Sequence, residues 1–187
     1  MRRGSSRTLL LSSLLTLAIL PPSTACADSD IDGLPSLRVA GGLTVNPSAG
    51  APSGMFALTA GLRVHVGRDR ATGLGLSGEL GWNYLAGGLP ESNYLSVTGG
   101  ADIGGVLAQI GVHGTFLVGS AGGDLSLGGR ATARLELIAG IFGLELGYEG
   151  REINGAFNHG VHVSAALDIG AIVFYVAGAG MWLSDHL

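Results

Sequence analysis

The chain has no lysine, a single cysteine and few charges of any kind. Charged residues make up 13% of its 187 residues and the formal net charge is −4, whereas an average soluble domain carries roughly 25% charged residues. A slightly acidic chain with so few basic side chains is not typical of a nucleic-acid-binding protein. Its hydrophobic fraction of 47% also excludes a disordered, charge-rich polymer.

Helical periodicity and the common ligand-binding motifs are missing beyond the first thirty residues. The chain contains no cysteine cluster, no H-E-x-x-H motif and no carboxylate loop, and no helical pattern follows its glycine-rich stretches. His159 and His162 are three residues apart, so on a strand they point to opposite faces. The sequence therefore predicts no metal site and no cofactor. It also predicts no internal disulfide, since Cys26 has no partner.

The N-terminus has the organisation of a secretory signal peptide, predicted over residues 1–27. A basic start precedes an apolar run of thirteen residues, 8–20, and then Ala25-Cys26-Ala27. That run is too short for a transmembrane helix, which needs about 20 residues. Cleavage after Ala27 and lipidation of Cys26 both stay open, because residues 23–26 resemble a bacterial lipobox. Residues 28–36 are predicted to form a short linker.

From residue 37 to the end, the dominant signal is an alternation of apolar and polar residues with a period of two. Between Phe56 and Val66, for example, every even position is apolar, while the odd positions include Thr59, Arg63 and His65. A period of two over such lengths is typical of β-strands. Nine segments share it: 37–45, 56–66, 74–84, 94–103, 106–116, 125–137, 141–149, 159–169 and 172–183.

The connections between these segments predict an up-and-down antiparallel β-barrel of 8–10 strands over residues 37–187. Three of them are two-residue loops containing glycine, which suit tight hairpins: Gly104-Gly105, Ala139-Gly140 and Gly170-Ala171. The alternate connections look longer and more polar: 46–54, 85–93, 117–124 and 150–158. The two ends of the barrel are therefore expected to differ.

The composition of the polar face favours a transmembrane barrel, with its apolar face toward lipid. Glycine, alanine, serine and threonine dominate that face, and small side chains suit the narrow interior of a barrel of about eight strands. Aromatic residues of the apolar face lie near strand ends, as in the aromatic girdles of membrane barrels. The predicted girdle consists of Phe56, Trp82, Tyr84, Phe116, Tyr148 and Trp182 at the long-loop end, with Phe142 and Phe174 at the other.

Charged residues of the polar face are expected to pair inside the barrel. A two-residue turn at Ala139-Gly140 places Arg134 opposite Glu145 and Arg130 opposite Glu149, where the side chains of each pair are neighbours. The other predicted lumen charges are Arg38, Arg63, Glu79, Asp102, Glu136 and Asp168. A nearly balanced set of charges indicates a filled, plugged lumen, since an open pore needs more strands.

This pattern over about 37–183 resembles the small outer-membrane β-barrels of Gram-negative bacteria, such as the outer-membrane protein A-type and opacity-type barrels. The resemblance rests on pattern and not on a diagnostic motif. It implies export to the outer membrane, with loops outside and short turns in the periplasm. The implied partners are outer-membrane lipid, lipopolysaccharide and the barrel-assembly machinery. Neither an oligomeric state nor a solute path follows from the sequence, and the expected role is structural or interactive.

Two alternatives stay open from the sequence. A soluble periplasmic or lipid-anchored barrel would turn its apolar face inward around an apolar ligand. An outer-membrane lipid A hydrolase is the third hypothesis. Ser96 is predicted to lie opposite His113, and His162-x-Ser164 resembles the His-x-Ser of lipid A deacylases. Val176 occupies the place of the glutamate of those enzymes, so no catalytic residue is assigned.

Overall fold

The structure is a computed structural model that describes residues 31–47, 51–66, 73–105, 107–138, 140–153 and 155–186. The predicted signal peptide and the possible lipidation site Cys26 lie outside these residues.

The chain forms a closed barrel of eight antiparallel strands followed by one helix. Each strand pairs with the next, and the last strand pairs with the first. The strands are β1 (Ile31–Val45), β2 (Ser53–Val66), β3 (Gly73–Gly87), β4 (Ser92–Gly104), β5 (Ala108–Ala121), β6 (Asp124–Leu137), β7 (Phe142–Ile153) and β8 (Ala156–Asp168), and the helix is α1 (Ile169–His186). The prediction of an all-β, up-and-down antiparallel barrel is confirmed.

The apolar face of the barrel points outward and the polar face points into the lumen. Large apolar side chains are exposed on every strand; for example, Val97 is 56% exposed and Leu146 is 58% exposed. Inward-facing charged residues are buried instead, with Arg38 at 3% and Glu136 at 1% exposure. This orientation is opposite to the one that the soluble-barrel alternative requires, because that barrel would enclose its apolar face.

The prediction of a ninth strand over 172–183 is wrong, because those residues belong to α1. Pairing of β1 with β8 closes the sheet from Arg38 to Val45, so no free edge remains along that stretch to receive another strand. The apolar run from Ile172 to Ala177 occupies both odd and even positions, apart from Tyr175, and is not a strict alternation. The predicted Gly170-Ala171 turn is the first turn of the helix.

Asp168 determines where β8 ends and α1 begins. Its Oδ1 atom accepts a hydrogen bond from the backbone N–H of Ala171 at 3.0 Å, which is the usual role of an N-cap side chain. The same carboxylate accepts bonds from the Leu37 N–H at 3.1 Å and the Ser36 hydroxyl at 2.6 Å. It therefore fixes the helix start against β1.

The lengths of the connections do not follow the prediction. Only two residues separate β5 from β6, and only two separate β7 from β8, although both connections fall in predicted long loops. Gly122 and Gly123 have φ angles of 60° and 100°, as such tight turns require. Inward residues at this end include the buried apolar Leu117 and Ile153. In β5 the outward neighbours of Leu117, Phe116 and Val118, are apolar as well, so both faces of that strand are apolar there and the sequence shows no alternation.

The two ends are named here by their contents. The hairpin end contains the connections 46–52, 88–91, 122–123 and 154–155, and the terminal end contains the start of β1 and α1. At the terminal end, the predicted two-residue turns are longer: β4 and β5 are joined by 105–107, and β6 and β7 by 138–141. Loop length therefore does not identify an outer end.

The strand β1 is longer than predicted and extends beyond the closed part of the barrel at the terminal end. It includes residues 31–36 of the predicted linker, but its pairing with β8 begins only at Arg38. The helix α1 packs against β1. Within the described residues, no helix combines the length and the apolar character needed to cross a membrane.

Replacing Asp168 with alanine is expected to lower the free energy of unfolding by about 1–3 kcal/mol, because the helix cap and two strand contacts are lost together. Asp168→Asn keeps an acceptor oxygen and is expected to lose less. Urea unfolding of the refolded full-length protein, followed by circular dichroism, measures both variants. Equal stability of wild type and Asp168→Ala would contradict this role.

Candidate functional site: the charged lumen

All ten charges predicted for the lumen lie at inward-facing positions of the barrel. Nine of them are buried, and Glu145 is partly exposed. They come from seven strands: Arg38 (β1), Arg63 (β2), Glu79 (β3), Asp102 (β4), Arg130, Arg134 and Glu136 (β6), Glu145 and Glu149 (β7) and Asp168 (β8). The barrel therefore brings together side chains that are more than a hundred residues apart in the chain.

The largest cluster surrounds the Arg134 guanidinium. Its Nη1 atom lies 2.9 Å from Glu79 Oε1, and its Nε atom lies 2.9 Å from Glu145 Oε1. These contacts link β6 to β3, which is not its neighbour in the sheet, as well as to the adjacent β7. Charge-assisted bonds of this kind are stronger than neutral hydrogen bonds. The arginine therefore ties separate parts of the wall together.

Arg38 and Arg63 complete this cluster through Glu136. Arg38 Nη1 lies 2.8 Å from Glu136 Oε1, and Arg63 Nη1 lies 2.5 Å from Glu136 Oε2. Arg38 Nη2 also contacts Glu145 Oε1 at 3.3 Å. Three arginines and three glutamates thus share one network. Such balance is expected where an unpaired buried charge would be strongly destabilising.

A second cluster joins Arg130, Glu149 and Arg151. Arg130 Nε and Nη2 donate to Glu149 Oε2 at 2.8 and 2.5 Å, and Arg151 Nη2 donates to Glu149 Oε1. The Arg151 guanidinium also lies 5.4 Å from the centre of the Tyr94 ring, a favourable position for a cation. The cluster lies beside the apolar layer that fills the lumen at the hairpin end: Met55, Ala57, Leu85, Tyr94 and Leu117.

The two predicted salt-bridge rungs are confirmed. Arg134 pairs with Glu145 and Arg130 with Glu149 in the register of β6 and β7. The turn has four residues and not two, but it stays symmetric about the same point, so the register is unchanged. Arg151 was missed because residues 150–158 were predicted to be a loop. Continuing the inward series 145, 147, 149 by one step would have found it.

The predicted opposition of Ser96 and His113 is wrong. In the structure Ser96 lies opposite Leu117, and His113 lies opposite Gly100. The connection at 105–107 is longer than the predicted two-residue turn, and the pairing of β4 with β5 is centred two residues later, which shifts the register by four residues. Ser96 instead accepts a hydrogen bond from Asn83 Nδ2 at 2.8 Å.

Another serine and a carboxylate contact His113. His113 Nε2 lies 2.8 Å from Asp102 Oδ1, and Nδ1 lies 3.4 Å from Ser77 Oγ. This order of groups is that of a serine hydrolase. Catalysis also needs free donors for an oxyanion, but β3, β4 and β5 are paired on both sides here. The His113 and Asp102 side chains are 0% and 1% exposed. The geometry therefore favours a structural hydrogen-bond chain.

His162 and Ser164 also face the lumen. His162 Nε2 lies 3.1 Å from Ser164 Oγ, and that hydroxyl donates to Glu145 Oε2 at 3.2 Å. His162 Nδ1 lies 3.4 Å from Thr44 Oγ1. Both side chains are buried, so they are not accessible from the outer surface of the wall. Val176 lies on α1 and not beside this pair.

The aromatic residues predicted to form a girdle are distributed over the outer wall and the helix. Phe56, Trp82 and Tyr84 form one cluster near the hairpin end, with ring centres 6.1 Å apart in each successive pair. Tyr148 and Phe116 are exposed on the far side of the barrel, and Phe142 is exposed at the terminal end. Phe174 lies on α1, where it contacts Tyr175. Trp182 is also on α1, but its side chain lies outside the described residues.

No family model, curated protein or solved structure matches this chain. Within the described ranges, no three His, Cys, Asp or Glu side chains are arranged to hold a metal ion.

The fit between His113 and Gly100 gives a direct test of lumen packing. A Cβ atom on Gly100 would overlap the His113 ring, whereas one on the outward Gly99 would meet only Ser77 O at 3.9 Å. Gly100→Ala is therefore expected to lower the free energy of unfolding by about 1–3 kcal/mol through overpacking. Gly99→Ala is the matched control and should be neutral or slightly stabilising. If the two variants had the same urea midpoint, the packing of His113 against Gly100 would be contradicted.

Proposed function

We propose that this protein is an integral outer-membrane β-barrel with a structural or interaction role and no chemistry of its own. The observation that carries the proposal is the outward apolar wall around a buried charged interior. In water, a continuous exposed apolar surface of this extent is unfavourable and promotes association. In a bilayer the same surface contacts lipid, and the polar groups stay inside the barrel.

The strand lengths support the same proposal. Every strand has between 12 and 15 residues, and crossing a bilayer at a tilt takes about 9–11 residues. Closure leaves no unpaired sheet edge within the wall where β1 and β8 pair, as a membrane span requires. Residues 1–27 would direct export, with processing before Asp28 or at Cys26.

The filled lumen favours a structural role over transport. Arg38 on β1 reaches Glu136 on β6, so charged side chains bridge the interior from wall to wall. An eight-stranded barrel is just wide enough for its own side chains to fill it. The partners proposed with this role are outer-membrane lipid, lipopolysaccharide and, during insertion, the barrel-assembly machinery.

Membrane fractionation with gel mobility tests the location. The protein should remain with outer membranes after a carbonate wash, and unboiled samples should migrate differently from boiled samples on SDS gels, because a folded barrel resists SDS. An integral inner-membrane protein, which also resists carbonate, is followed in the same fractions to exclude inner membrane trapped in the outer-membrane fraction. Release into the soluble fraction would overturn the proposal.

A charged substitution on the outer wall tests whether that wall contacts lipid. Leu146 lies in the middle of β7 and Leu125 lies near the tip of a hairpin, and both are well exposed. In a bilayer, Leu146→Arg should cost about 2–4 kcal/mol of folding free energy and Leu125→Arg about 0–1 kcal/mol, since the cost depends on depth. Urea unfolding from lipid vesicles measures both. Equal effects would indicate that the wall faces water.

A further inference from the structure

The barrel wall contains a seam between β6 and β7 at the hairpin end. The β6–β7 pairing stops at Gly128 and Arg151. The neighbouring pairings continue further, to Ala121 and Asp124 for β5–β6 and to Ile153 and Ala156 for β7–β8. Beyond Gly128, Ser126 Oγ donates to the carbonyl of Glu152. A side chain therefore replaces the backbone ladder across this part of the wall.

A groove of about 530 Å³ lies on the outer wall beside the seam. Its lining includes the small residues Gly129 and Ala131 of β6 and the rings of Phe116, Tyr148 and Phe157. Phe157 packs directly over Gly150, where a Cβ atom would overlap the ring. The volume is in the range of small-molecule sites, roughly 300–1,000 Å³. Most of the groove's lining is apolar, which favours an apolar occupant.

The exposed charge beside the groove is negative. Arg130 contributes to its lining, but its guanidinium is paired with Glu149 in the lumen. Glu152 lines the groove toward the hairpin end and is exposed. Among the charged side chains that the structure describes, the exposed ones are all carboxylates of the hairpin end: Glu91, Asp124 and Glu152. No described arginine is exposed there.

We propose that this groove binds one acyl chain of a phospholipid whose head group carries an ammonium, with Glu152 beside that ammonium. The chain lies between the three rings, where it covers Gly129 and Ala131. The carboxylate attracts the ammonium and repels an anionic head group. This inference rests on the proposed membrane location, because a bilayer is the source of the lipid.

Native mass spectrometry in a mild detergent with equal amounts of phosphatidylethanolamine and phosphatidylglycerol tests the site. The full-length wild type should retain one phosphatidylethanolamine. Ala131→Phe fills the groove and should reduce retention of the lipid about tenfold or more. If Ala131→Phe fails to fold, Gly129→Leu is the substitute variant that fills the same groove. Ala133→Phe is the matched control, since Ala133 is exposed two residues further along β6 and does not line the groove.

Glu152→Gln tests the head group separately. Retention of lipid should persist, while the preference for phosphatidylethanolamine should fall by about two- to fivefold, the range of exposed ion pairs. Preference for phosphatidylglycerol, or binding lost on adding EDTA, would overturn recognition of an ammonium. A dimer that Ala131→Phe dissociates would indicate a second copy in the groove and would overturn the lipid site.

Gel mobility and carbonate retention of the same variants separate the two proposals. If all variants are membrane-inserted and heat-modifiable but Ala131→Phe and Ala133→Phe retain lipid equally, only the groove is refuted. If the wild type is released without detergent, the membrane location itself fails.

Discussion

The pairing of charges across a narrow interior is the constraint on which the rest of this structure depends. Arg134 reaches Glu79 and Glu145 from a third strand, and the side chains of Arg134 and Glu79 are only 4% and 2% exposed. Removing one partner of a buried pair leaves an uncompensated charge and is strongly destabilising. The strands must therefore hold the register that brings these groups together. The barrel interior is a set of mutually dependent contacts and not a passive filling.

Small residues make those contacts possible. Arg38 extends across Gly143, where a Cβ atom would collide with its guanidinium, and His113 lies against Gly100 in the same way. The glycine-rich polar face therefore complements the long arginine side chains, since Arg38, Arg63 and Arg151 each occupy space that a glycine leaves. At the hairpin end the lumen is filled by an apolar layer, in which side chains such as Leu117 and Tyr94 take the place of charged ones.

The parts of this arrangement that follow from local alternation could be predicted from the sequence, and those that depend on closure could not. Inward positions such as Arg63 and Asp102 follow from a period of two. The Arg134–Glu145 register follows from one symmetric turn. The partner of His113 depends on the length and position of one connection, which shift the register by four residues. To predict the helix at 169–186, one would have needed to know that β8 already pairs with β1. Contacts across the lumen, such as Arg38 with Glu136, involve strands that are far apart in sequence.

The burial of the arginines affects the susceptibility of the folded chain to trypsin. The sequence has no lysine, and each of the five arginines in the described residues is buried in the lumen. Trypsin cleaves only after these two residue types and needs an extended, accessible segment. The folded strands consequently offer it no cleavage site, while the unfolded chain exposes all of them. Tryptic fragments that end within the strands would therefore come only from molecules whose barrel had opened.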